Sequence, residues 1–290
     1  MPNPRDIRKK ISGVKNTQQI TRAMKMVSTA KLRKAMERLN STKFYLTKLE
    51  DLMSDLQGVL GDRSVLQQYA ARPVNCAGIV VVTGDRGLCG SFNSDIIKAA
   101  LRHIQQLPAQ EKRLITFGRK GYDFFRRRQW PIISSYSEMN GNLDSDGIRA
   151  AARDAVALFL QDCFDELWIV FADFVTVLER KVIIKRLLPL DPITTTRKRQ
   201  HVLTHELMFD PSPEVIFDAL IPRFVEGLFL RAVLESATSE QAARMIAMGA
   251  ATDKADEIIS ELTLFFNRTR QAIITKELSE VVAGADALSG

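Results

Sequence analysis

Gly84-Asp-Arg-Gly-Leu-Cys-Gly90 follows an apolar, strand-like run and precedes a helical pattern. That is the position at which the free amides of a helix N-terminus hold phosphate. The segment lacks the Gly-Lys-Ser/Thr ending of a P-loop and does not fit G-x-G-x-x-G. It therefore reads first as a tight strand-to-helix turn whose glycines supply backbone freedom. Cys89 would stand at a helix N-terminus, where a thiolate is favoured, yet no base is placed to serve it. His201 and His205 have the i, i+4 spacing of a shared metal, with Glu206 as a third donor. They fall in an exit loop, and no metal is expected from so small a set. No Ser-His-Asp elbow, H-E-x-x-H or Cys-x-x-Cys pattern occurs. Arg126-Arg-Arg128 reads as a solvated helix end. The residues thus predict a chain with no active site and no cofactor of its own.

A second polar feature is not catalytic in kind. Asn267-Arg-Thr-Arg-Gln271 puts five polar residues in succession on a predicted helix, a band exposing polar groups in all directions around the axis. Beyond it, Ile274, Leu278, Val281, Ala285 and Leu288 form an apolar tip ending among small residues. The element that carries both features is predicted to run from Pro213 to Leu288, about 75 residues or roughly 110 Å at 1.5 Å per residue. Globular helices rarely exceed about 20 residues, so this one spaces or transmits. Pro222 should kink it or weaken its first turns, and the low bulk of Ala242–Ala251 would let a neighbouring helix approach closely.

A second long helix, Pro4 to about Leu60, opens the chain. Its heptad seam runs Ile7, Ile11, Val14, Gln18, Thr21, Lys25, Ser28, Leu32, Ala35, Leu39 and on to Leu60, apolar at the ends and polar in the middle. Through that middle the apolar stripe is expected to shift to Ile20, Met24 and Val27. Residues 1–43 carry twelve Lys/Arg against two acids, a net +10, whereas residues 213–290 carry seven Lys/Arg against twelve acids, a net −5. Helices of opposite sign suit each other as coiled-coil partners. The alternative use of a basic face, nucleic-acid binding, is the weaker reading once that partner is present.

Between the helices the period changes. Strands are predicted at Cys76–Thr83, Arg113–Phe117 and Pro131–Ser135, and Glu166–Phe174 with Val175–Leu190 as a strand pair. Helices are predicted near Asn93–Leu107, Lys120–Arg127 and Gly147–Phe164. This alternation implies a mostly parallel sheet covered on both sides, with a late antiparallel addition. The fold class is α/β: a long antiparallel coiled coil of N- and C-terminal helices around an inserted Rossmann-like domain. The expected divisions are 1–62 (helix), 63–75 (linker), 76–192 (α/β domain), 193–212 (linker) and 213–290 (helix). The chain has 290 residues, 46% of them hydrophobic, with no apolar run long enough to span a bilayer and no secretory h-region. Cys76, Cys89 and Cys163 are odd in number and share no short spacing, which favours a reducing compartment.

Three stretches resemble one family, the gamma subunit of F-type ATP synthase. They are Ile11-Ser-Gly-Val-Lys-Asn-Thr-Gln-Gln-Ile-Thr-Arg-Ala-Met-Lys-Met-Val-Ser-Thr-Ala-Lys31, Thr83 to Asn93 (usually S-T-D-R-G-L-C-G-G-L-N), and Ser239-Glu-Gln-Ala-Ala-Arg-Met-Ile-Ala-Met248 with Asn267–Glu277. Gly84 replaces the usual Thr, Ser91-Phe92 replaces Gly-Leu, and Lys254 stands where Asn is common. The thiol-bearing insertion of chloroplast members is absent. The resemblance implies a non-catalytic rotor shaft inside a ring of three alpha and three beta subunits. Its foot would rest with the epsilon subunit on the membrane c-ring, converting proton or sodium flow into cycling of the beta sites and regulating ATPase activity. It implies contact and coupling roles toward beta for Met24, Lys25, Arg244, Arg270, Gln271, Thr275 and Glu277. A bearing tip would include Val281, Val282, Ala285 and Leu288, and a c-ring contact Met208, Phe209 and Asp210. No nucleic-acid partner is implied, and the expected location is peripheral, on the cytoplasmic side of a bacterial inner membrane.

Overall fold

The computed structural model describes residues 3–60, 69, 72–137, 145–190, 210 and 212–289, with backbone alone at 57–60, 145 and 284–289. Helix α1 covers Pro4–Leu60. The α/β segment follows as β1 (Cys76–Val82), α2 (Phe92–Gln106), β2 (Glu111–Phe117), α3 (Arg119–Arg126), β3 (Ile132–Tyr136), α4 (Ser145–Leu160), β4 (Glu166–Phe174) and β5 (Arg180–Leu188). Helix α5 covers Pro213–Ser289, 77 residues, and passes through Pro222 without interruption. Pro222, the tenth residue of the helix, removes one intrahelical donor without ending it.

The five strands lie in the order β3-β2-β1-β4-β5. The β1 pairings with β2 and β4 and the β2 pairing with β3 are parallel, and β5 joins antiparallel. Strand β1 is buried along its whole length, as a central parallel strand covered on both faces must be. Alternation sorts its side chains. Ala77, Ile79 and Val81 enter a core with Phe92, Ile96, Ala100 and Ile104 of α2 and Phe125 of α3. Val80 and Val82 enter a larger core with Leu39, Leu46 and Met53 of α1, Ile148 and Phe159 of α4, and Phe217 to Ala237 of α5. The predicted α4 stops four residues early because Asp162 adopts φ of 57°, a conformation that ends helices.

The chain forms two compact units. One combines residues 1–29 with 244–290; the other is residues 30–243. Within the larger unit, a Cβ on Gly227 would lie 2.5 Å from Leu46 Cδ2, so α5 and α1 approach through a residue without a side chain. The opposite helix charges meet here: Lys43 Nζ lies 3.0 Å from the buried Glu235 carboxylate, which Arg231 also reaches at 3.1 Å.

Candidate functional site

In the smaller unit, α1 and α5 run antiparallel, because ascending positions on one meet descending positions on the other. Gln18 donates to Asp256, Thr21 Oγ1 lies 2.8 Å from Thr252 Oγ1, and a Cβ on Gly249 would lie 3.6 Å from Lys25 Cε. The Thr21 hydroxyl also reaches Gln18 O, and that of Thr252 reaches Met248 O. Each hydroxyl has one proton, so one threonine must release its own carbonyl to bond across the helices.

This corrects the expected shift of the apolar stripe. Thr21 and Ser28 are the buried positions, while Ile20 is 60% and Val27 55% exposed. Met24 is half-buried and Lys25 exposed. The heptad seam keeps its register through the polar middle, since small hydroxyl side chains let two backbones come close and bond. The bulky residues are left on the outer surface. Arg244, expected as a partner-facing charge, is 8% exposed and sits on the covered side of α5.

Farther along α5 the five-residue polar band is not uniform. Thr269 is buried, whereas Asn267, Arg268, Arg270 and Gln271 are exposed. One residue in the band therefore packs inward and the rest face out. Thr275 and Glu277 are exposed, with the Thr275 hydroxyl bonded back to Gln271 O at 3.0 Å. Ile274, Leu278, Val281 and Val282 expose apolar surface. The Ala285 and Leu288 side chains lie outside the described residues, as do Met208 and Phe209 and the His201, His205 and Glu206 set; Asp210 is exposed.

The turn after β1 differs from its sequence reading in which positions need glycine. Positive φ falls at Gly90, 60°, and at Leu88, 62°, not at Gly84. Gly84 is small for another reason: a Cβ there would lie 2.7 Å from the Glu240 carboxyl carbon. The loop backbone is fixed on both sides, Gly84 N donating to Asn93 Oδ1 at 2.8 Å and Lys120 N donating to Gly84 O at 3.1 Å. Cys89 is buried, and its thiol accepts from Asn93 Nδ2 at 3.2 Å.

Chain order reverses between β1 and β4, and the crevice beyond their C-terminal ends is where open α/β sheets bind ligands. Here α5 occupies it. Ser236 Oγ donates to Val82 O of β1 at 3.3 Å, and Ser239 Oγ donates to Ala172 O of β4 at 3.2 Å. Glu240 lies against Gly84. One turn back, burial and a hydrogen bond with Asp173 push the Glu235 carboxyl up, against the pull of Lys43 and Arg231. None of these crevice contacts was singled out from the sequence, although Ser236-Ala-Thr-Ser239 in mid-helix was a visible signal. Three of these four small residues carry hydroxyls, have low helix propensity and need a packing reason.

Among the described residues, no three His, Cys, Asp or Glu side chains gather as metal ligands, and no helix is long and apolar enough to cross a membrane. A family profile described as ATP synthase matches residues 3–288. The ATP synthase gamma chain of Moorella thermoacetica is 40% identical over 288 residues, covering 99% of this chain and 100% of its own. That of Chlorobaculum parvum is 41% identical over 294 residues, covering 99% of each. A chain from the OSCP/F1/c-ring structure of Euglena gracilis mitochondrial ATP synthase superposes with a TM-score of 0.68 at 20% identity, over 98% of this chain and 94% of that one. One from the central stalk/c-ring structure of the Tetrahymena thermophila enzyme gives 0.59 at 23% identity, over 80% and 99%. These two establish likeness of fold.

Proposed function

The chain belongs to the ATP synthase gamma-chain family, and from that membership we propose how its surfaces do the work of a central-stalk rotor. A rotor makes no bond; it acts by binding the successive conformations of its surroundings with different strength. The chain turns within a ring of alpha and beta subunits and is driven at its foot, with the epsilon subunit, by the c-ring. It works on the cytoplasmic side of a bacterial membrane without entering the bilayer. Each orientation favours a different state of each beta site, so ion flow and ATP synthesis or hydrolysis are coupled.

The observation that carries this reading is the segregation of the α1–α5 pair. Its inner face is closed by hydroxyl and amide bonds at Thr21–Thr252 and Gln18–Asp256. Its outer face presents Ile20, Met26, Val27 and Lys25 on α1, and Arg270, Gln271, Thr275 and Glu277 on α5. Met24 and Lys25 meet the moving segment of beta, with Arg244 as the corresponding coupling charge on α5. Arg270 and Gln271 form the directional catch, supported by Thr275 and Glu277. The tip from Val281 and Val282 through Ala285 to Leu288 turns in an apolar sleeve, because apolar contact is non-directional and does not select an angle. Met208, Phe209 and Asp210 belong to the c-ring end.

Reconstitution with cognate alpha and beta subunits and a bead on the foot tests this reading. Stepwise, one-directional rotation is expected. Arg270→Ala with Gln271→Ala should lower the torque, and the rate of ATP hydrolysis by about tenfold, the loss of one charge-assisted contact. Undiminished rotation in that variant would remove the catch from these residues.

A further inference from the structure

Torque entering at the foot must reach α5, and apolar packing alone transmits it poorly. Burial of apolar surface has no preferred angle, whereas a hydrogen bond weakens steeply once bent. In the larger unit, α5 meets the sheet through three contacts of a different kind. Ser236 bonds Val82 O at the end of β1, Ser239 bonds Ala172 O on β4, and Glu240 seats against Gly84 in the loop beyond β1. The three residues stand at i, i+3 and i+4, on one helix face within little more than one turn. Their partners lie on two strands of the sheet, Val82 and Gly84 at the end of β1 and the start of its loop, and Ala172 on β4. Turning α5 about its axis would therefore strain all three together. Ser239 is 0% and Glu240 4% exposed, so no water replaces what is lost, and the loop is braced by Asn93 and Lys120.

We propose that this crevice is the torque joint of the rotor, a keyway at the ligand position of an α/β sheet, with Ser236, Ser239 and Glu240 as the positioning residues that key α5 into the foot. The proposal rests on the rotor reading above. The joint explains two features that reading leaves unused: glycine at 84, where the family commonly has threonine, and the small, hydroxyl-rich turn at Ser236–Ser239. It adds no contact to beta. Its loss leaves the shaft able to turn but soft, so drive at the foot arrives late at the catalytic sites.

The test uses the assembled complex of this chain with its alpha and beta subunits, with a bead on the foot and hydrolysis halted by withholding nucleotide. Angular variance of the bead then reports torsional stiffness. Ser236→Ala with Ser239→Ala should widen the variance by up to about threefold, since variance scales inversely with stiffness and two of the three contacts, both of them hydrogen bonds, are gone. Gly84→Ala, which displaces the Glu240 carboxyl, should widen it independently. Unloaded ATP hydrolysis should stay at the wild-type rate in both, while gradient-driven synthesis falls in the complete membrane complex. If the double variant fails to assemble, the single Ser236→Ala and Ser239→Ala chains carry the same comparison. Wild-type variance in assembled variants, or an equal fall in unloaded hydrolysis, would overturn the joint. A wild-type chain that assembles but does not rotate would instead overturn the rotor reading itself.

Discussion

His103 and Trp168 illustrate how individual side chains behave in the α/β domain. Their rings meet edge-on with centroids 4.6 Å apart, and His103 Nε2 and Trp168 Nε1 are both buried without a hydrogen-bond partner. Burial lowers the His103 pKa below its ordinary value of 6.5, with Glu166 opposing. The unfolded chain therefore takes up the proton more readily. Stability from this residue is fully present above about pH 6.5 and is lost as pH falls below that value through the lowered folded pKa. Denaturant midpoints at pH 7.5 and 5.5 should show the acid loss in the wild type and a smaller one in His103→Phe, which keeps the ring contact. Equal losses would place the acid sensitivity elsewhere. Asp165 adds to it at lower pH: burial opposes its charge, but the amides of Cys76 and Asn75 and the Arg72 guanidinium outweigh this and hold its pKa down.

At the scale of elements, the sequence was clearest where one requirement dominated. Strand β1 is an unbroken apolar run because both its faces are covered, and α2 places Phe92, Ile96, Ala100 and Ile104 on one buried stripe. It was least clear where two stripes lie one residue apart. Hydropathy favours Ile20 and Val27, while close helix contact favours Thr21 and Ser28, and the second requirement wins because the pair is joined by bonds as well as by burial. The crevice contacts were hidden for a related reason: they are side chain to strand carbonyl, which leaves no periodic trace. Replacing both Thr21 and Thr252 with Val should change stability by less than about 1 kcal/mol, because both polar partners become apolar isosteres together. Replacing Thr252 alone should cost more per site than half the double change. A double-mutant cycle by urea unfolding measures the difference, and strict additivity would deny the pair its coupling.

For the molecule as a whole, the two units differ in what holds them. Both apolar clusters lie within residues 30–243, so that unit carries its own core. The other unit rests on one helix pair, in which Ile7, Thr21 and Ser28 of α1 are covered. A chain ending after Ala243 should keep amide protection through the sheet and lose it across 4–29. Hydrogen exchange on the truncated chain reads this directly, and retained protection at the N-terminus would show that α1 does not need its partner.

Thr21 and Thr252 are 231 residues apart in sequence. At about 5–20 residues per second of synthesis, the first helix waits on the order of tens of seconds before its partner leaves the ribosome. During that interval its seam, including Ile7, Ile11 and Val14, has nothing to pack against, and the abundant lysines and arginines around it keep the waiting helix in solution. The chain thus begins with one half of a helix pair whose other half is made last, and the last helix to be made closes the first.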